Sequence, residues 1–219
     1  STGTWLYTNL KVFLCAMSHT KGDGIGEGAA HSGFMAMLDS VWPDIKGALR
    51  NPFNTTDPFG HLGDRSYKLA LLGHSLGGAL AVIAAADLTA APVFRVSALW
   101  TFGAPRVGDE TFAEWLDGAL SAPGVVARWR VTHARDPIVH LPLRSLGFLH
   151  SGVEVWYPDS EPAKGCVRAF RVCAVEDGED PACSASVWLP LCFPGKRDHL
   201  KYVGVPFDGA LSCRREDGP

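Results

Sequence analysis

The stretch Gly73-His74-Ser75-Leu76-Gly77-Gly78 constrains this chain more than any other, because of what stands on either side of it. Ahead of it runs Tyr67-Lys68-Leu69-Ala70-Leu71-Leu72, which reads as a buried strand, and Leu76 to Leu88 behind it reads as a helix. A Gly-x-Ser-x-Gly match between a strand and a helix describes a sharp turn that strains the serine backbone and pushes its hydroxyl into the open. Gly73 and Gly77 are read as the places where a side chain would collide with the neighbouring strand and helix. The first helical turn aims its amides and the positive end of its dipole at the same point, so the Leu76 amide is the natural donor to a developing oxyanion. A glycine-rich turn of a nucleotide-binding fold is the alternative. It would call for a phosphate-gripping lysine or a Gly-x-Gly-x-x-Gly spacing, and this stretch has neither. Ser75 is therefore the candidate nucleophile.

A serine hydroxyl is a weak nucleophile until a histidine takes its proton, and that histidine needs an acid to orient it. With a turn of this kind the chain order is serine, acid, histidine. Arg130-Val131-Thr132-His133-Ala134-Arg135-Asp136-Pro137 leaves a strand and turns at a proline, which places Asp136 where the acid belongs. A plain turn cap built on an Asp-Pro pair is the competing reading. Asp87, Asp109 and Asp117 fall in or at the ends of expected helices and read as caps or solvated charges. Three histidines follow Asp136: His140, His150 and His199. His199 comes late, where the base is expected, but position alone leaves His140 and His150 as rivals.

Around this centre, strand-like runs alternate with helical patterns, the signature of a mostly parallel sheet flanked by helices. Phe34 to Leu49 carries a helical stripe that Pro43 starts or kinks. Phe94 to Phe102, Val125 to Thr132 and Val153 to Tyr157 read as strands, Val167 to Cys173 as a weaker one, and Asp109 to Leu120 as a helix. With 219 residues, 47% of them apolar, the chain suits one domain over residues 1–219 with a full-sized core. A net charge of −3 and the lack of a basic block argue against nucleic acid as a partner. The longest apolar run, Ala79 to Ala86, is too short for a transmembrane segment. The histidines lack metal-ligand spacing, so no metal and no cofactor are expected. Cys173 and Cys183 read as closing an acidic surface loop by a disulfide, which implies an oxidising compartment and a secreted protein. The sequon Asn54-Thr55-Thr56 adds a little to that reading.

Together these residues resemble the class 3, or fungal-type, lipases, whose fold is that of the α/β-hydrolases. The likeness runs from about Trp5 to Cys213. It rests on Trp5-Leu6-Tyr7-Thr8-Asn9-Leu10, His31-Ser32-Gly33-Phe34, the Ser75 turn, Thr101-Phe102-Gly103-Ala104-Pro105-Arg106-Val107-Gly108-Asp109, Asp136-Pro137-Ile138-Val139-His140-Leu141-Pro142, His150-Ser151-Gly152-Val153-Glu154-Val155-Trp156-Tyr157 and Asp198-His199-Leu200-Lys201-Tyr202-Val203-Gly204.

The resemblance implies a catalytic triad of Ser75, Asp136 and His199 with Leu76 as an oxyanion donor, and it sets His140 and His150 aside. It implies the Cys173–Cys183 pairing and a partner for Cys213 near the N-terminus. Ser1 to Phe13 matches a lid whose apolar face suits a lipid–water interface. The expected substrate-binding residues are Trp5, His74, Ile138, Leu141 and Leu200. The expected activity is ester hydrolysis, foremost of triacylglycerols, with feruloyl-type or other carboxylesters and a non-catalytic binding protein as alternatives. A Gly-Ser or Gly-Thr pair that would supply the first oxyanion donor falls upstream of Ser1 by this comparison. The chain is accordingly read as an N-terminally truncated fragment lacking the first strands.

Overall fold

The apolar stripe that opens the helical layer divides at Ser40. In this computed structural model, residues 25–50, 68–90, 95–121, 123, 127–158, 169–174, 179–187 and 196–207 are described. Helix α1 (Ser32–Asp39) buries Phe34 and Leu38, and α2 (Trp42–Arg50) follows it. Pro43 falls in the first turn of α2, where its missing N–H costs no hydrogen bond, so it starts a second helix and does not kink one long one. Trp42 is buried, and its indole N–H donates to Asp87 at 2.7 Å, while Lys46 reaches the same carboxylate at 3.2 Å. Asp87 thus joins two helices, a role its position in a helical run did not reveal.

Strand β1 (Lys68–His74) leads through Ser75 into α3 (Leu76–Ala90), and β2 (Arg95–Phe102) lies parallel to β1. The short strand β3 (Gly108–Asp109) precedes α4 (Glu110–Ala119), whose N-cap is Asp109: its carboxylate accepts the Phe112 amide at 2.8 Å. Then come β4 (Ala127–His133), β5 (Phe148–Leu149), β6 (Val153–Tyr157) and β7 (Arg171–Val172). Among the described residues the main sheet has the order β1-β2-β4-β6-β7, with the first four strands parallel and β7 antiparallel at the edge. The sequence expects a strand over Val167 to Cys173. Its observed part is two exposed residues, since β7 covers no partner on its outer side among the described residues. Helix α5 (Lys196–His199) and the hairpin β8 (Lys201–Tyr202) and β9 (Val205–Pro206) complete the described chain.

Helix α3 is buried around most of its circumference: Ala79, Ala81, Val82, Ile83, Ala84, Ala85, Ala86 and Leu88 all lie in the core. Small side chains let it pack closely on β1 and β2, with Phe34 and Leu38 of α1 and Phe112 and Leu116 of α4 in the same cluster. Parallel strands joined by a covering helix bring their carboxyl ends to one edge of the sheet, and residues there share a crevice. The carboxyl ends of β1, β2 and β4 carry His74, Phe102 and His133.

Candidate active site

Ser75 stands between β1 and α3 with φ of 55°, the left-handed conformation that a side chain normally avoids. Its amide donates to the Phe102 carbonyl at 2.9 Å, and its own carbonyl accepts from Gly78 and Ala79, which closes the first turn of α3. A Cβ on Gly73 would lie 2.1 Å from the Gly77 carbonyl oxygen, so the expectation for Gly73 holds. For Gly77 it does not: a Cβ there meets nothing within 4 Å among the described residues. The crowded partner is Gly78, whose Cβ would come 2.7 Å from Ala104 Cβ. Leu76 opens α3, so its amide belongs to the turn whose donors find no partner within the helix.

Asp136 lies just beyond β4, in a turn where its amide donates to the His133 carbonyl at 2.9 Å and Ala134 takes a φ of 41°. Its Oδ1 accepts the Ile138 amide at 2.8 Å, so the Asp-Pro turn cap foreseen as a rival role is present. The same carboxylate also faces His199, whose Nδ1 lies 2.9 and 3.0 Å from its two oxygens. The two roles coexist. A carboxylate can only accept, which puts the proton on Nδ1 and leaves Nε2 as an acceptor. That Nε2 is 2.8 Å from Ser75 Oγ, which therefore donates to it. Ser75, His199 and Asp136 are thus brought into one chain of hydrogen bonds, with Asp136 and His199 1% and 4% exposed.

Two further residues shape the acid, and sequence reasoning missed both. The Tyr202 hydroxyl donates to Asp136 Oδ2, giving this buried carboxylate a third donor. Burial, followed by the nearby Asp136 charge, pushes the Tyr202 phenol well above its ordinary pKa, so it stays a donor. Gly103, with φ of 58°, leaves the space: a Cβ there would sit 2.7 Å from Asp136 Oδ2 and 2.8 Å from the Tyr202 hydroxyl. The available signals were a glycine at the end of a strand and a tyrosine three residues after the last histidine.

Of the rival histidines, His150 is engaged elsewhere. His150 Nε2 donates to the Val139 carbonyl at 2.7 Å, and the ring lines a small internal cavity with Thr101, Val107 and Arg130. Burial first, then Arg130, lowers its pKa well below the usual histidine value. The pKa of His140 is lowered too, by burial and then Arg106. His74 turns its Nε2 to the backbone carbonyl of His199 at 2.8 Å. Ile138 is buried and its amide bonds Asp136, and Leu141 and Leu200 are partly buried. Trp5 and the rest of the expected lid lie outside the described residues, as do Asn54, Cys15, Cys166, Cys192 and Cys213.

The expected bond between Cys173 and Cys183 is formed, but the loop it closes is not simply a surface feature. Both cysteines are buried, and so is Glu179 between them in sequence. Glu179 takes a forked pair of bonds from Arg106, Nε to Oε1 and Nη2 to Oε2, each 2.5 Å. Burial alone would raise the Glu179 pKa, but the Arg106 bonds outweigh it and bring it below the usual carboxylate value. The remaining nitrogen of Arg106, Nη1, donates to the carbonyls of His140 and Pro142, and its backbone N–H donates to that of Leu141. Three consecutive carbonyls beside the acid are therefore gripped by one residue. Glu154 lies against the two cysteine sulfurs, which are bonded to each other and offer no thiolate to a metal.

A family model described as lipase (class 3) matches residues 1–146. A lipase of Rhizomucor miehei is 35% identical over 178 residues, covering 80% of this chain and 43% of that protein. A secreted mono- and diacylglycerol lipase of Fusarium solani is 35% identical over 144 residues, 65% of this chain and 39% of its own. A solved structure described as a triacylglycerol lipase whose catalytic centre is a serine protease triad superposes with a TM-score of 0.69 at 28% identity. That match covers 91% of this chain and 68% of the other. The chain spans less than half the length of the curated relatives named here.

Proposed function

This chain belongs to the class 3 lipase family, and from that premise we propose that it is a serine ester hydrolase acting on acylglycerols through Ser75, His199 and Asp136. The observation that carries the reading is the unbroken line from Asp136 through His199 to a serine hydroxyl on a strained turn. In the forward step Ser75 Oγ attacks the ester carbonyl carbon while its proton passes to His199 Nε2. Asp136 keeps the Nδ1 proton in place and balances the imidazolium that forms. Negative charge gathers on the former carbonyl oxygen, where the Leu76 amide donates to it. Collapse breaks the bond to the alcohol, which leaves with the proton from Nε2, and an acyl-Ser75 ester remains. Water then repeats the sequence, and the fatty acid is released.

Acylglycerol as substrate is supported by the relatives, described as lipases of mono-, di- and triacylglycerols. A lipid–water interface as the place of action is supported by apolar side chains exposed beside the site: Leu143 and Leu146 after the acid, Val203, Val205 and Phe207 after the base. Secretion is supported by the disulfide and by the relative described as secreted. Ile138, Leu141 and Leu200 then line the path of the acyl chain, and Trp5 covers it.

The test compares the full-length protein with its Ser75→Ala variant on a dissolved short-chain ester, an emulsified long-chain triacylglycerol and a feruloyl ester. The expected outcome is fastest turnover of the emulsion, and a fall of about 10⁴-fold or more in the variant. A variant within tenfold of its parent would rule out the serine mechanism. A parent that prefers the feruloyl ester would move the assignment to an esterase on the same machinery.

A further inference from the structure

Residues 196–207 carry the proposed base on one short helical turn and a two-residue hairpin, with little regular structure to hold them. Two histidine rings hold the backbone instead. His74, at the end of β1, points Nε2 at the carbonyl of His199 at 2.8 Å, and His133, at the end of β4, points Nδ1 at the carbonyl of Asp198 at 2.9 Å. Carbonyl oxygens only accept, so both rings donate, to consecutive peptide groups. The strand ends that give these donors also give the other reacting groups: His74 precedes Ser75, and His133 stands three residues before Asp136.

The ring of His74 is packed among three others. Phe207 stacks on it at 4.2 Å with an 8° interplanar angle, the His199 ring lies 4.8 Å away, and Tyr202 meets it edge-on at 5.4 Å. With Nε2 committed to a carbonyl and one face covered by Phe207, this side chain is not arranged to grip a substrate, the role expected for it from the sequence. We propose that His74 is a positioning residue for the base: its N–H ties the peptide of His199 to the nucleophile turn and sets the 2.8 Å approach of His199 Nε2 to Ser75 Oγ. This rests on the functional reading above. Burial, and next the His199 ring, lower the pKa of His74, so it stays neutral with one proton to donate.

The test uses three variants of the full-length protein. In His74→Gln the amide nitrogen falls near the place of Nε2, in His74→Asn it falls short, and in His74→Leu it is absent. With a dissolved short-chain ester, His74→Leu and His74→Asn should lower kcat on the order of ten- to a hundredfold with KM within twofold, since small misplacements of reacting groups have effects of that size. His74→Gln should recover to within about threefold of the parent. A His74→Leu kcat within twofold of the parent, a loss confined to KM, or a Gln variant no better than Asn would overturn the proposal. The Gln and Asn pair decides the matter if the Leu variant does not fold. A second readout is the proton NMR signal of His199 Nδ1–H, shifted downfield by the Asp136 bond. It should broaden or vanish in His74→Asn and persist in His74→Gln, and an unchanged signal in His74→Asn refutes the positioning role. That signal reports on His74 even in a parent with no esterase activity, an outcome that would overturn the proposed function instead.

Discussion

Removing the Glu179 carboxylate should be among the most damaging single changes in this protein. Arg106 is 4% exposed and Glu179 5%, so solvent does little to screen either charge. Among the described residues, Glu179→Ala leaves a guanidinium in the interior with only the His140 and Pro142 carbonyls beside it. Stranding one member of a buried ion pair costs about 3–5 kcal/mol. For a chain of this size each kcal/mol corresponds to roughly 2–4 °C in the unfolding midpoint, so a fall of roughly 6–20 °C is expected. Urea unfolding followed by tryptophan fluorescence gives the free energy, and calorimetry gives the midpoint. Replacing both partners, Arg106→Met with Glu179→Leu, removes the stranded charge and should be less destabilised than Glu179→Ala alone. The sign with pH follows from the lowered Glu179 pKa: its contribution is complete above the unfolded value of about 4.3 and is lost as pH falls through the folded value. Glu179→Gln should therefore lose less stability on acidification than the parent. A Glu179→Ala variant within about 1 kcal/mol of the parent, or a double variant worse than the single one, would refute this account of the pair.

Tyr202→Phe removes a donor to a buried carboxylate without changing shape, so stability should fall by about 1.5–3 kcal/mol in urea unfolding, and a change under about 0.5 kcal/mol would show that the hydroxyl does not matter. For His150, burial lowers the folded pKa below the unfolded value of about 6.5, so its contribution is complete above that pH and lost as pH falls below it. The difference in unfolding free energy between the parent and His150→Asn should narrow between pH 7 and 5, by up to about 1.4 kcal/mol per pH unit, and a difference independent of pH would contradict the buried neutral ring.

What could be read from the sequence was whatever is decided locally. The strands ending at His74, Phe102 and His133 follow from short apolar runs, and the turn at Ser75 follows from its glycines. What stayed hidden depends on partners far along the chain. Gly77 and Gly78 are adjacent, and only the approach of Ala104 shows which of them must be a glycine. Glu179 stands in an acidic run that suggests a solvated loop, and its partner Arg106 is 73 residues away. Gly103 and Tyr202 stand about a hundred residues apart, and neither suggests a seat for Asp136 until the two are seen together. The family resemblance implies a substrate contact at His74, and sequence carries no sign of the carbonyl it faces.

The alanines of α3 have a consequence of another kind. Ala79, Ala85 and Ala86 show no exposed surface, and they set the stand-off between this helix and its neighbours. A bulkier hydrophobe at any of them would keep the core apolar and still cost about 1–3 kcal/mol, because a packed helix answers overfilling by moving as a unit. That displacement would be felt at Leu76, the helix's first residue, and would turn its amide relative to the Ser75 hydroxyl. These methyl groups work as spacers: substitution there is bounded less by greasiness than by fractions of an ångström at the Ser75 turn.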